Sequence, residues 1–237
     1  MSSGPIIAID GPAAAGKGTL ARRIAEALGL PYLDTGLLYR AVGRRVLDAG
    51  RDPADAATAE NEARALRAAD LDREDLRGPV ADVAAAAVAA IPGVRAALLD
   101  FQRGFGAERG AVLDGRDIGT VIFPNASAKL FVTASLAERA RRRWMELAAK
   151  GVSADPATVE AEMLARDTRD APNMRRAEDA VVLDTSLLDA EQVFQRALEE
   201  IRTRLDWGAL QRVEKPAGAL RPAPSPTPLP PGEGEDL

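Results

Sequence analysis

The chain has no cysteine and no histidine among its 237 residues. Without cysteine there is no disulfide, no thiolate nucleophile and no cysteine metal site. Without histidine a Ser-His-Asp triad and most zinc sites are excluded as well. Long apolar runs are missing too. The blandest stretch, Val80 to Ala90, carries Asp82 and is closed by Pro92, so it is too short to span a bilayer. Positive charge is not in excess: 31 Lys and Arg stand against 36 Asp and Glu, for a net charge of −5. That balance argues against a general binder of nucleic acid polymers or membrane surfaces. Met1-Ser2-Ser3-Gly4 runs straight into an apolar segment with no signal-peptide pattern. The expected setting is cytoplasmic.

What is present is alternation. Short apolar runs at 5–10, 32–34, 111–114, 128–133 and 180–183 read as strands. Amphipathic helical patterns fill 17–28, 36–49, 135–149, 156–168 and 189–205. Such alternation predicts an α/β fold, a doubly wound parallel sheet of five strands with helices on both faces. Residues 53–108 break the rhythm. They are rich in Ala and Arg, helical in pattern and without a convincing strand, which marks a helical insertion. Residues 214–237 are Pro-rich, with few apolar groups to offset ordering entropy, and are expected to be a disordered tail.

The first strand feeds Gly11-Pro12-Ala13-Ala14-Ala15-Gly16-Lys17-Gly18-Thr19, and helical pattern resumes at once. Strand, glycine-rich loop and helix in that order form a phosphate cradle. Backbone N–H groups and the helix N-terminus face the anion, and Lys17 adds a point charge. A strict P-loop has Ser or Thr directly after the lysine. Here Gly18 intervenes and Thr19 carries the hydroxyl, an ending typical of kinases that act on nucleoside monophosphates.

Three further segments carry charge suited to phosphoryl transfer. Ala111-Val112-Leu113-Asp114 is a strand ending in aspartate, the position that holds a Mg²⁺ shell opposite a P-loop. Gly115-Arg116-Asp117-Ile118-Gly119-Thr120 follows it. Arg139, Arg141, Arg142 and Arg143 crowd one helix, and Arg166-Asp167-Thr168-Arg169-Asp170 closes the next. Arg142, Arg143, Arg166 and Arg169 are the better candidates for stabilising a transferring phosphoryl group, and Arg141 for a solvated face. An Arg- and Asp-rich loop between two helices suits a lid. Finally, Leu33-Asp34-Thr35-Gly36-Leu37-Leu38-Tyr39-Arg40 takes a short strand into a helix whose N-terminus can hold an acceptor phosphate. Arg40 sits one turn in.

Taken in order over residues 5–185, these motifs resemble the bacterial cytidylate kinases. Asp-Gly-Arg-Asp-Ile-Gly-Thr at 114–120 separates that family from adenylate and shikimate kinases. The resemblance implies one kinase domain over 1–213, with a core of 1–40 and 109–213. It also implies a nucleotide-binding insertion near 41–108 and a lid near 150–178. ATP as donor and Mg²⁺ are implied, with CMP and dCMP as acceptors and a monomer meeting only small nucleotides. By motif, loop 11–19 with Arg142 would hold ATP, and Thr19 and Asp114 the metal. Thr35, Arg40 and Arg116 would hold the acceptor phosphate, and Tyr39 would line its pocket. Arg95 and Asp117 would read the cytosine edge. Arg166 and Asp170 would reach phosphate and ribose from the lid. Lys17, Arg116, Arg166 and Arg169 would be catalytic.

Three departures stand out. Relatives often place a serine near the base where this chain has alanines, Ala86 among them. The lid arginine expected shortly after Asp170 is displaced to Arg175 or Arg176. The insertion is helical where some relatives carry a small sheet. Other readings are a UMP kinase of the same fold, a P-loop GTPase and a non-catalytic nucleotide-binding module. A GTPase would need an Asn-Lys-x-Asp segment, and none occurs.

Overall fold

The computed structural model describes residues 4–205. The Pro-rich tail expected at 214–237 lies outside them. Five parallel strands form one sheet in the order β2-β3-β1-β4-β5. They are β1 (Ile6–Asp10), β2 (Tyr32–Asp34), β3 (Ala111–Gly115), β4 (Ala128–Thr133) and β5 (Val181–Asp184). Among the described residues eight α-helices accompany them: α1 (Lys17–Leu28), α2 (Thr35–Asp48), α3 (Ala56–Arg64), α4 (Pro79–Ala89), α5 (Pro92–Gly106), α6 (Leu136–Ala149), α7 (Pro156–Asp170) and α8 (Ala190–Arg204). The expected fold class therefore holds. Predicted boundaries differ from these by at most two residues.

Strands β1 and β3 read as continuous apolar runs because helices cover both sheet faces. The parallel register sets Ile9 beside Asp114 and Asp10 beside Gly115, and Asp34 beside Asp114 on the other flank. Three carboxylates thus collect at the C-terminal edge of the sheet, where open α/β folds place ligands.

Residues 53–108 hold three α-helices and two short 3-10 turns and no strand. Leu38, Val42, Val46, Ala59, Val88, Val94 and Leu98 join Leu33, Leu113 and Ile118 in one core. The insertion therefore shares the sheet's core. Helix α2 runs unbroken through residue 40, the expected start of the insertion. Among the described residues no single helix is long and apolar enough to cross a membrane. The pair α4 and α5 is bent by 101°.

Candidate active site

The donor loop is built by backbone geometry. Gly11 has φ 142°, and a β-carbon there would stand 2.0 Å from the Val132 carbonyl oxygen. Only glycine lets β1 turn away at that point. The turn brings Lys17 back inside the loop, where its Nζ donates to the Pro12 carbonyl at 2.7 Å. Lys17 is buried. Burial and the nearby Arg116 push its pKa down to about 7, against the pull of Asp114 and Asp10.

Beside the loop lies a cavity of about 340 Å³, lined by Gly16, Thr19, Arg142, Thr185 and Val193 among others. Arg142 is held there by Glu138 at 2.8 Å and donates to Thr185 Oγ1 at 2.9 Å and its carbonyl at 2.6 Å. The Thr185 hydroxyl donates in turn to the Ala15 carbonyl at 3.2 Å. The cavity wall is thereby tied to the loop.

Asp114 lies beside Gly18 of the loop. Its Oδ1 accepts from the Tyr32 hydroxyl at 3.1 Å, and its Oδ2 would meet a β-carbon on Gly18 at 3.6 Å. Burial raises its pKa to about 6, with Asp34 adding to the rise and Lys17 opposing it. The two residues expected to share the metal are thus placed differently. Asp114 is buried against Gly18, whereas Thr19 is exposed and lines the cavity.

The arginines expected at the acceptor, Arg40, Arg95 and Arg116, each hold a carboxylate. Asp34 caps α2 by accepting from Gly36 N at 3.0 Å, and the Thr35 hydroxyl donates to the Asp114 carbonyl at 2.7 Å. Arg40 Nε and Nη2 reach Asp82 Oδ1 of α4 at 3.0 and 2.9 Å. Arg95 pairs with Asp117 Oδ2, and its guanidinium lies 5.9 Å from the centre of the Tyr39 ring. Burial raises the pKa of Asp117 and takes the Tyr39 phenol up to about 12. Arg116 Nε donates to Asp170 Oδ2 at 2.8 Å, and Arg166 approaches the same oxygen at 4.0 Å. Burial, with Arg116 close by, lowers the pKa of Arg166.

Comparison with known proteins gives the family. The cytidylate kinase family model matches residues 7–203. The cytidylate kinase of Granulibacter bethesdensis is 61% identical over 203 residues, covering 84% of this chain and 97% of its own. That of Acidiphilium cryptum is 59% identical over 207 residues, covering 86% and 98%. The chain belongs to the cytidylate kinase family. A solved gluconokinase from Sinorhizobium meliloti shares the fold at a TM-score of 0.50 and 14% identity, covering 90% of this chain and 99% of its own.

Of the residues the cytidylate kinase motifs single out, most converge. Lys17, Arg116, Arg166, Asp170 and Asp114 form one group, and Arg40, Tyr39, Arg95 and Asp117 extend it. Arg169 does not join them. It is exposed on α7 and has no hydrogen bond or ion pair among the described residues. Helix α7 buries only a narrow stripe, Val159 and Met163, and Arg169 stands outside it. Arg143 likewise turns outward to Glu146.

Several residues at the site have no motif to announce them. Asp82 is one. Arg139 is another, buried beneath the donor loop, donating to the Ala134 carbonyl at 3.0 Å and to both oxygens of Asp167 at 3.0 and 2.6 Å. Ala13 at the loop tip packs with Val159 and Met163 of α7. Helix α7 is therefore seated on the donor loop at its first half and offers Arg166 and Asp170 from its second.

Proposed function

We propose that this chain transfers the γ-phosphoryl group of ATP to the 5′-phosphate of CMP, and of dCMP, by in-line displacement. The observation that carries this reading is the meeting of Arg116 and Arg166 at one oxygen of Asp170, at 2.8 and 4.0 Å, close to the loop that holds Lys17. Cations gathered this way suit the phosphates of two nucleotides meeting end to end.

An oxygen of the acceptor phosphate forms the new bond to phosphorus. The bond to the β–γ bridging oxygen breaks, and ADP leaves. The acceptor is already an anion, so no strong base is required, which agrees with a chain lacking histidine. Lys17, Arg116 and Arg166 neutralise the charge that builds on the equatorial oxygens. The P-loop and Arg142 bind the donor, with its nucleoside in the cavity beside Gly16. Arg40 and Arg116 bind the acceptor phosphate at the N-terminus of α2. Asp117 keeps Oδ1 for the 4-amino group of cytosine while Arg95 holds Oδ2. Uracil offers a carbonyl there and is disfavoured.

The donor set suits Mg²⁺. It consists of hard oxygens with one buried carboxylate, and Mg²⁺ is usually held by one or two carboxylates together with substrate phosphates and water. Among the described residues no group of three or more potential metal ligands occurs, and that mode of binding needs none. Asp114 would hold it, and it would supply further charge neutralisation at the phosphates. The reading extends to a cytoplasmic monomer of one kinase domain with a nucleotide-binding insertion and a lid that closes on both substrates.

A coupled ADP-release assay with CMP, dCMP, UMP and AMP as acceptors tests the proposal. CMP and dCMP should support turnover well above UMP and AMP. Absence of ADP release with CMP would refute the assignment.

A further inference from the structure

We infer that Asp10 is the positioning residue of the base-reading loop, acting through Asp117. The inference rests on the proposed role of Asp117 at cytosine.

Asp10 ends β1 and is only 4% exposed. Its side chain does not serve the donor loop that begins at the next residue. Instead it reaches across the sheet. Oδ1 accepts from Ile118 N and Oδ2 from Gly119 N, both at 2.8 Å. These are the first two amides after Asp117. They open the short π-type turn Ile118–Ile122, in which Val121 N donates to the Asp117 carbonyl at 2.8 Å and Phe123 N to that of Ile118 at 2.7 Å.

Asp117 itself has φ −141° and ψ 25° and lies just past the end of β3, so no ladder holds it. Its backbone direction is set by the peptide that follows, which Asp10 holds, while Arg95 pairs with the carboxylate itself. Gly119 supports the same conclusion. A β-carbon there would stand 3.3 Å from Asp10 Oδ2 and 3.1 Å from Lys129 Cδ, so the close approach depends on the missing side chain.

The arrangement gives one residue two tasks. Through its backbone Asp10 starts the phosphate cradle. Through its carboxylate it fixes the loop that carries Arg116 and Asp117. The distance between donor and base reader is then set by one residue of a central strand, the kind of rigid support that small errors in reacting geometry demand.

Asp10→Asn keeps the shape but turns an amide NH₂ towards one of the two backbone N–H groups, so one bond is lost. KM for CMP should rise about tenfold and the preference for CMP over UMP should narrow by a similar factor, as one buried hydrogen bond implies. KM for ATP should stay within about twofold, since the donor loop keeps its backbone path. In an Asp117→Ala background, Asp10→Asn should add nothing further to KM for CMP, because the two act as one unit. Gly119→Ala, which presses on the same carboxylate, should reproduce the effect and replaces Asp10→Asn if that variant does not fold. Additive losses, or equal rises in KM for CMP and ATP, would overturn the inference. The reading of Asp117 is judged separately. If Asp117→Ala alone leaves the CMP to UMP ratio unchanged, that reading fails, while the KM cycle still decides whether Asp10 acts through Asp117.

Discussion

Asp82→Ala is the most informative single change, because two opposite outcomes can be argued and the magnitudes choose between them. Asp82 either competes with the acceptor phosphate for Arg40 or aims Arg40 at it. The guanidinium meets Asp82 Oδ1 side-on, through Nε and Nη2. Nη1 is left pointing over Gly36, 3.3 Å from where a β-carbon would stand, at the N-terminus of α2. That geometry aims the free end of Arg40 at the proposed phosphate position. The side chains of Arg40 and Asp82 are 19% and 27% exposed. A charge-assisted pair of this kind is therefore worth the lower end of its range, about 1.5 kcal/mol. Repulsion works the other way. A carboxylate roughly 7 Å from a phosphate costs about 0.6 kcal/mol in a water-like dielectric. Removing Asp82 should thus weaken CMP binding by a net of about 1 kcal/mol, a rise in KM of about fivefold with little change in kcat. Steady-state assays at saturating ATP would measure it. Repeating them at high salt screens the repulsion that the variant relieves, so the rise should then approach tenfold. A KM that falls at either salt, or a loss that persists in an Arg40→Ala background, would refute the orienting role.

Lys17→Ala should lower kcat about a hundredfold or more in the same assay and leave CMP affinity nearly unchanged, as expected for one lost electrostatic donor. Arg166→Ala should lower kcat by tenfold or more, whereas Arg169→Ala should stay within about twofold in parallel turnover measurements. Stability should respond to Asp10 in a defined pH window. Burial raises its folded pKa from 3.8 to about 6, against the opposing hydrogen bonds of Gly119 and Ile118, with the charge of Asp117 adding and that of Lys17 subtracting. A raised folded pKa stabilises most below pH 3.8 and loses that contribution as pH climbs through 6. Urea midpoints should therefore show wild type losing about 2 kcal/mol relative to Asp10→Asn between pH 4.5 and 7.

Much of this site is legible in the sequence because its parts are local. Gly11 to Thr19 carries its geometry within nine residues, and Asp34-Thr35-Gly36 caps its own helix. The strands are apolar runs bounded by turns, so their period and length suffice. What the sequence conceals is pairing across the fold. Arg40 is visible in its motif, but its partner Asp82 lies 42 residues away in an Ala-rich helix that reads as a bland span. Asp10 looks like the polar exit of a strand until the register sets it beside Gly115. Arg139 is hidden differently. It stands among four arginines, and only helical phase distinguishes it. With Leu136 and Ala140 it falls on the inward face of α6, so it is buried and needs a carboxylate, which Asp167 supplies. Counting that phase would have found it. Arg169 shows the converse, since its motif drew attention to a residue that the helix turns outward.

The pattern of partners separates the two halves of the site physically. At the acceptor end Arg40, Arg95 and Arg116 each hold a carboxylate, namely Asp82, Asp117 and Asp170. A guanidinium presents its donors as a rigid fork, so one edge can be held by an aspartate while the other meets a ligand. Such a pocket is nearly neutral before substrate arrives, and its discrimination comes from direction more than from net attraction. The donor loop is built the other way. Lys17 makes no ion pair among the described residues and donates to a carbonyl, and burial first, then Arg116 nearby, lowers its pKa. A compact ammonium has no fixed direction to preserve, so what it would contribute is charge, offset only in part by Asp114 and Asp10, where the proposed polyphosphate enters. On the proposed function, anion attraction at the donor and oriented recognition at the acceptor would follow from which cation occupies each place.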